Sequence, residues 1–262
     1  MFRSHRPNAC LGLVVLLGAC ARQVPLPLVE VSGACGDAFQ GRICTWAHTK
    51  AGNLIDAGAT IPIASIDNAP ADAVMSWPPA PTAALPMPAT ASARTGLREF
   101  TFLWEATGHP PAPFLTPHFD FHFYLISQAE RIAITCADRT KPAALPADYS
   151  LPDMALPPDM ARMTGVDTLV GVCVPRMGMH SVPTGTLTGT AIFRGSVVVG
   201  YYKGKPIFIE PMIARAMLAE KKSFDLPIPT IPGTAGPYPR TFHATWDDAQ
   251  QVYYFTFSDF AT

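Results

Sequence analysis

The sequence predicts a mainly β protein, an antiparallel sandwich or barrel with one short helix and long proline-rich loops. Three observations carry this expectation. His118-Phe119-Asp120-Phe121-His122-Phe123-Tyr124 alternates ionisable and aromatic residues with period two, and Phe100, Phe102 and Trp104 recur in the same rhythm; a strand sends successive side chains to opposite faces. Lys203-Gly204 lies between two strand-like runs, the mark of a tight hairpin. The 28 prolines suit extended segments and loops, because proline supplies no backbone donor to a helix or a ladder.

At the start of the chain, Arg3, His5 and Arg6 form a basic stretch before the apolar run Leu11 to Leu17. That run is too short to span a bilayer, so residues 1–19 read as a signal peptide. The segment ends in Leu17-Gly18-Ala19-Cys20, which resembles the lipobox of bacterial lipoproteins. The resemblance implies cleavage before Cys20, a diacylglycerol on its thiol and an extracytoplasmic, membrane-anchored protein. Ala21 stands where an inner-membrane lipoprotein carries aspartate, which implies the outer membrane if the source is Gram-negative. Residues 20–34, with Pro25 and Pro27, read as a tether, and residues 35–262 as a single β-rich domain.

Besides Cys10 and Cys20 there are Cys35, Cys44, Cys136 and Cys173, an even set in an oxidising compartment. Cys35 and Cys44 enclose a short glycine-containing loop and form the preferred pair. Cys136 and Cys173 then pair by elimination, although four cysteines allow three connectivities. Their spacing fits no zinc knuckle.

The domain opens with strand-like pieces at Ile43 to His48 and Thr60 to Ile66. Residues 69–96 are rich in proline and alanine and read as an extended surface segment or linker. From Leu97 the chain is strand-like again, with Arg131 to Cys136 expected to pair with the His118–Ser127 strand. Residues 139–165 read as loop, and strands are expected at Leu169 to Val174, Thr188 to Tyr202 and Lys205 to Glu210. Ile213 to Lys222 is the one expected helix. A last hairpin runs from Phe242 to Trp246 and from Gln251 to Phe257.

On the central strand, His118, Asp120 and His122 share one face, opposite the core-forming Phe119, Phe121 and Phe123. Packing alone explains the aromatic face but not the polar one. His109 in Gly-His-Pro-Pro, His180 in Met-Gly-Met-His and Glu210 in Glu-Pro-Met are further candidates. Imidazoles with a carboxylate suit one divalent transition metal such as Zn, Mn, Fe or Cu. Residues two apart on a strand are about 6.6 Å apart and can share an ion, whereas residues four apart are about 13 Å apart and cannot. The preferred ligands are therefore Asp120, His122, His180 and Glu210, with His109 and His118 orienting them. A structural His–Asp network and a metal-free acid–base pair at Asp120 remain alternatives. Met177 and Met179 beside His180 hint at copper, but the order of residues is not that of a blue-copper loop.

Taken together, Gly108-His109-Pro110-Pro111, Pro117 to Tyr124, Met177-Gly178-Met179-His180 and Glu210-Pro211-Met212 resemble an uncharacterised family of bacterial extracytoplasmic proteins that carries these motifs in this order. The resemblance covers roughly residues 97 to 220 and implies that the marked polar residues form one site. It implies no substrate. Ser181 stands where the family has an aromatic residue.

Several functions are excluded. Net charge is −1 with no basic run, so nucleic acid is not an expected partner. There is no G-x-S-x-G elbow, H-E-x-x-H, P-loop or dinucleotide fingerprint. What remains is a lipid-anchored protein that binds a metal or small ligand, a metal-dependent hydrolase or isomerase using the same site, or a structural or oligomer-forming envelope protein.

Overall fold

Two antiparallel sheets share an aromatic interior that the period-two strands supply. The computed structural model describes residues 27–234 and 236–260. The chain runs through β1 (Leu28–Ala38), β2 (Gly41–Lys50), β3 (Asn53–Pro62), α1 (Ile63–Asp67), β4 (Ala83–Pro86), α2 (Ala89–Thr95), β5 (Glu99–Glu105), β6 (His118–Tyr124) and α3 (Gln128–Ile132). It continues through β7 (Tyr149–Ser150), β8 (Met154–Ala155), α4 (Pro158–Thr164), β9 (Thr168–Leu169), β10 (Met179–Pro183) and α5 (Thr184–Thr188). It ends with β11 (Gly195–Tyr202), β12 (Lys205–Ala214), α6 (Arg215–Leu218), β13 (Phe224–Pro227), β14 (Thr241–Asp247) and β15 (Val252–Ser258).

One sheet has six strands in the order β1-β2-β3-β15-β14-β13, and the other has seven in the order β4-β5-β6-β12-β11-β10-β7. They face one another as a β-sandwich, the mainly β architecture the alternation predicts. Phe121 meets Phe255 and Phe123 meets Phe257 edge-on across the gap, each pair with ring centroids 4.6 Å apart. Trp104 and Phe102 pack on Phe119 from the neighbouring strand. A single core cluster draws on both sheets.

With the phenylalanines of β6 inside, His118, Asp120 and His122 point to the outer face of the seven-stranded sheet. That face is not open to water. The segments around 106–117 and 139–194 cover it, and a second apolar cluster including Phe114, Tyr124, Phe193, Phe208 and Met212 lies there. This roof is what buries the polar row.

Cys35 and Cys44 are bonded across β1 and β2, where they are register partners with Cα atoms 4.1 Å apart. Cys136 and Cys173 are bonded with Cα atoms 5.9 Å apart and tie the end of α3 to the roof. Both bonds are compatible with an extracytoplasmic compartment. Among the described residues no helix is long and apolar enough to cross a membrane. The signal peptide, the lipobox and Cys20 lie outside the described residues.

Lys203 and Gly204 both take positive φ, 51° and 73°, as a two-residue primed turn requires. Other local expectations give way to tertiary structure. The tether expected over 20–34 ends sooner, because β1 begins at Leu28 and pairs along β2. The single helix expected over Ile213 to Lys222 shrinks to the four residues of α6, since Ile213 and Ala214 pair with Phe119 and His118. Five other short helices accompany it among the described residues. Arg131 to Cys136 forms no hairpin: a capping box between Ser127 and Glu130 starts α3 instead. The Pro/Ala-rich stretch contributes β4 and α2, with β4 on the sheet edge where proline is tolerated. Of the strands expected at Leu169 to Val174 and Thr188 to Tyr202, only Thr168–Leu169 and Gly195–Tyr202 form.

Candidate metal centre

Strand register assembles the polar face. Across β5, β6 and β12, His118 lies opposite Glu105, and Asp120 lies between Leu103 and Met212. His122 lies opposite Thr101, Glu210 opposite Val198, and His180 on β10 opposite Gly200. The sheet supplies six of the ionisable side chains, and the Gly108-His109-Pro110 loop supplies another. Gly108 adopts φ 68°, and a Cβ there would come within 2.0 Å of the Phe114 carbonyl oxygen. Only glycine fits this turn.

These side chains fall into two groups of possible metal ligands. His109, His118 and Asp120 form one, and His122, His180 and Glu210 form the other; within each, the ligand atoms lie within 4.8 Å of one another. In the first, His118 Nε2 is 3.3 Å from Asp120 Oδ1 and His109 Nε2 is 3.9 Å from Oδ2. In the second, His122 Nε2 is 3.6 Å from Glu210 Oε2. Asp120 and His122 thus fall in different groups, although two residues on one strand could have shared an ion. His109 and His118, expected only to orient ligands, offer ligand atoms of their own.

Three of the imidazoles are fixed by the backbone. His109 Nδ1 lies 2.8 Å from the Pro110 carbonyl, His118 Nδ1 2.7 Å from that of Thr116, and His180 Nδ1 2.9 Å from that of Val172. A carbonyl can only accept, so each Nδ1 carries the proton. When neutral, each ring therefore presents its Nε2 lone pair to the site. This is how metal-ligating histidines are commonly held.

Burial leaves several of these atoms without partners. His118 Nε2, Asp120 Oδ1, both ring nitrogens of His122 and Glu210 Oε2 are buried and make no hydrogen bond. Buried polar groups are seldom left unpaired, and a cluster of them marks a place built for an ion or ordered water.

The charge states follow from the same packing. Burial alone would push Asp120 up, but the neighbouring His118 and His109 outweigh it and hold its carboxyl well below the usual range. Burial works against a charged His118, yet Asp120 beside it raises the ring. Burial lowers His109, and it takes His122 to about 3 and His180 to about 4. Burial and the Asp120 charge push Glu210 well up and bring Glu105 to about 8.

Glu105 is the residue the sequence reading passed over. Its signal was present, since Glu105 follows Leu103 at the strand period and becomes His118's cross-strand neighbour. The Met177, Met179 and His180 run divides: Met177 and His180 face a cavity over the site, whereas Met179 is buried in the core between the sheets. Cys173 is engaged in its disulfide.

Each group combines two imidazoles with one carboxylate, a donor set suited to Zn, Mn, Fe or Cu that leaves positions open for water or a ligand. The chain matches no protein-family model, no curated protein and no solved structure.

Proposed function

We propose that this protein binds a divalent transition metal on the outer face of its seven-stranded sheet, at the cell envelope, anchored by a lipid on Cys20. The ligands come from Asp120, His122, His180 and Glu210, and from His109 and His118. The observation that carries the reading is the set of Nδ1–H bonds to backbone carbonyls, which leave Nε2 as the free nitrogen of His109, His118 and His180, beside the buried, partnerless Asp120 Oδ1 and Glu210 Oε2. A purely structural network would more naturally use those ring nitrogens as donors to the carboxylates.

Elemental mass spectrometry on protein lacking residues 1–20, purified without chelator or metal-affinity resin, tests this. Metal close to stoichiometric in the parent and lost in His118→Ala or His122→Ala is the expected result. A parent that stays metal-free after reconstitution with Zn, Mn, Fe and Cu would sink the proposal and leave a structural polar network.

A second reading, a metal-dependent enzyme, has one observation in its favour. His109, Asp120, His180 and Glu210 line a cavity open to solvent, so a metal held there by three protein ligands can receive a substrate. Hydrolytic or isomerase turnover by metal-loaded protein, absent after chelation, would establish it.

A further inference from the structure

The cavity above the site has a composition the metal reading does not need. Its enclosed part is small, about 70 Å³, and it opens to solvent, so a ligand seated there extends outward from it. Its walls include Met75 and Trp77, from the segment between α1 and β4, and Met154, Met160, Leu169 and Val174, from the roof. Its polar residues are Glu105, His109, Asp120, His180 and Glu210, the five that lie on the site described above. The cavity is thus apolar except where it meets that site.

Apolar side chains continue outside it. Val74 and Leu115 are 91% and 59% exposed and stand next in the chain to the lining residues Met75 and Phe114. Met163, 42% exposed, follows Met160 on α4. Methionine is unbranched and polarisable and conforms to flexible apolar ligands. Walls rich in it suit a linear chain better than a rigid ring.

We propose that the cavity binds a single-chain acyl compound, with its hydrocarbon tail among Met75, Trp77, Met154 and Met160 and its carboxyl oxygens at the His/Asp/Glu end. The tail half of this proposal stands on the cavity alone. The head half rests on the metal reading, because buried carboxylates repel an anionic or carbonyl oxygen unless a cation lies between them. A free fatty acid and an acyl ester offer the same chemistry.

Equilibrium dialysis of the full chain in a bulky sterol detergent, with radiolabelled hexanoate, octanoate and decanoate, tests the tail. Affinity is expected to rise about fourfold per added methylene that the cavity buries. Met75→Lys and Met160→Lys, at half-buried wall positions that the core does not use, are expected to lower decanoate affinity at least tenfold with metal content unchanged. Affinity independent of chain length, or untouched by both substitutions, overturns the proposal whatever the metal content. Decylammonium tests the head: binding as tight as that of decanoate overturns its placement. Monodecanoylglycerol in the same assay distinguishes the sources, and preference for it or for decanoate supports the ester or the free acid.

Discussion

Val172 holds His180 in place. The Val172 carbonyl accepts the His180 Nδ1–H at 2.9 Å, and it does so from a backbone φ of 50°. A β-branched residue in the left-handed region is strained by about 1–3 kcal/mol. The roof segment keeps that conformation between Gly171, with φ 60°, and the disulfide-bonded Cys173. Strain of this kind is retained where it positions a functional group, here an imidazole that lines the apolar cavity.

Val172→Gly relieves that strain, since glycine accepts positive φ at no steric cost. Stability is expected to change by less than about 1 kcal/mol, because the gain is offset by the freedom glycine restores to the unfolded chain. Metal affinity should fall roughly tenfold as the carbonyl loses its fixed direction. Thermal melts and metal competition titrations separate the two effects. Unchanged affinity would show that Val172 does not position His180.

Metal-free protein should lose stability as pH rises from about 6.5 to 8. Glu105, at about 8, and Glu210 keep protons in the folded state that the unfolded chain gives up above the ordinary value of 4.5. A folded state that binds more protons becomes less stable as pH rises, by about 1.4 kcal/mol per pH unit for one group. His118, raised above 6.5, adds to the fall as it titrates. His122 and His180, at about 3 and 4, act the other way, but only below the unfolded histidine value of 6.5. Urea midpoints at pH 6, 7 and 8 should therefore decline in the parent and decline less in Glu105→Gln. Parallel slopes would contradict the assignment of a protonated Glu105.

Arg131 and Glu99 form a buried two-point pair, with Nε to Oε2 at 2.7 Å and Nη2 to Oε1 at 2.9 Å. The guanidinium also lies over the Tyr124 ring. Arg131→Met strands a buried carboxylate and is expected to cost about 3–5 kcal/mol. Adding Glu99→Met should recover most of that loss. Chemical denaturation of the two single variants and the double variant measures it, and a fully additive result would argue against direct pairing.

Gly108→Ala should displace the loop that carries His109. The new Cβ would lie 2.0 Å from the Phe114 carbonyl oxygen in a backbone with φ 68°, so the turn must move, at about 1–3 kcal/mol. Metal held by His109, His118 and Asp120 should weaken at least tenfold, while His122, His180 and Glu210 keep their positions. Histidine NMR resonances that shift for His109 and His118 but not for His122 and His180 would separate the two groups.

The strand period made much of this protein readable. Alternation alone sent Phe119, Phe121 and Phe123 to the interior and His118, Asp120 and His122 to the other face, because successive residues on a strand point in opposite directions. Lys203-Gly204 specified its turn because few residues tolerate positive φ twice in succession. The cysteine pairs followed from their small number and their spacing.

Sequence could not decide which polar side chains meet. Neighbouring strands are about 4.8 Å apart, closer than the 6.6 Å between alternate residues of one strand, so register outranks sequence proximity. That is why Glu105 comes to His118 and Glu210 to His122, while Asp120 meets His118 along its own strand and His109 from the loop. The helix read at Ile213 to Lys222 fails for the same reason, since pairing of Ile213 and Ala214 with β6 outweighs local propensity. The chain by itself determined which residues are polar and which face they share. Only the tertiary structure decided that a roof of loops buries that face, that backbone carbonyls fix three of the histidine tautomers, and that carboxylate oxygens of Asp120 and Glu210 are left without hydrogen-bond partners.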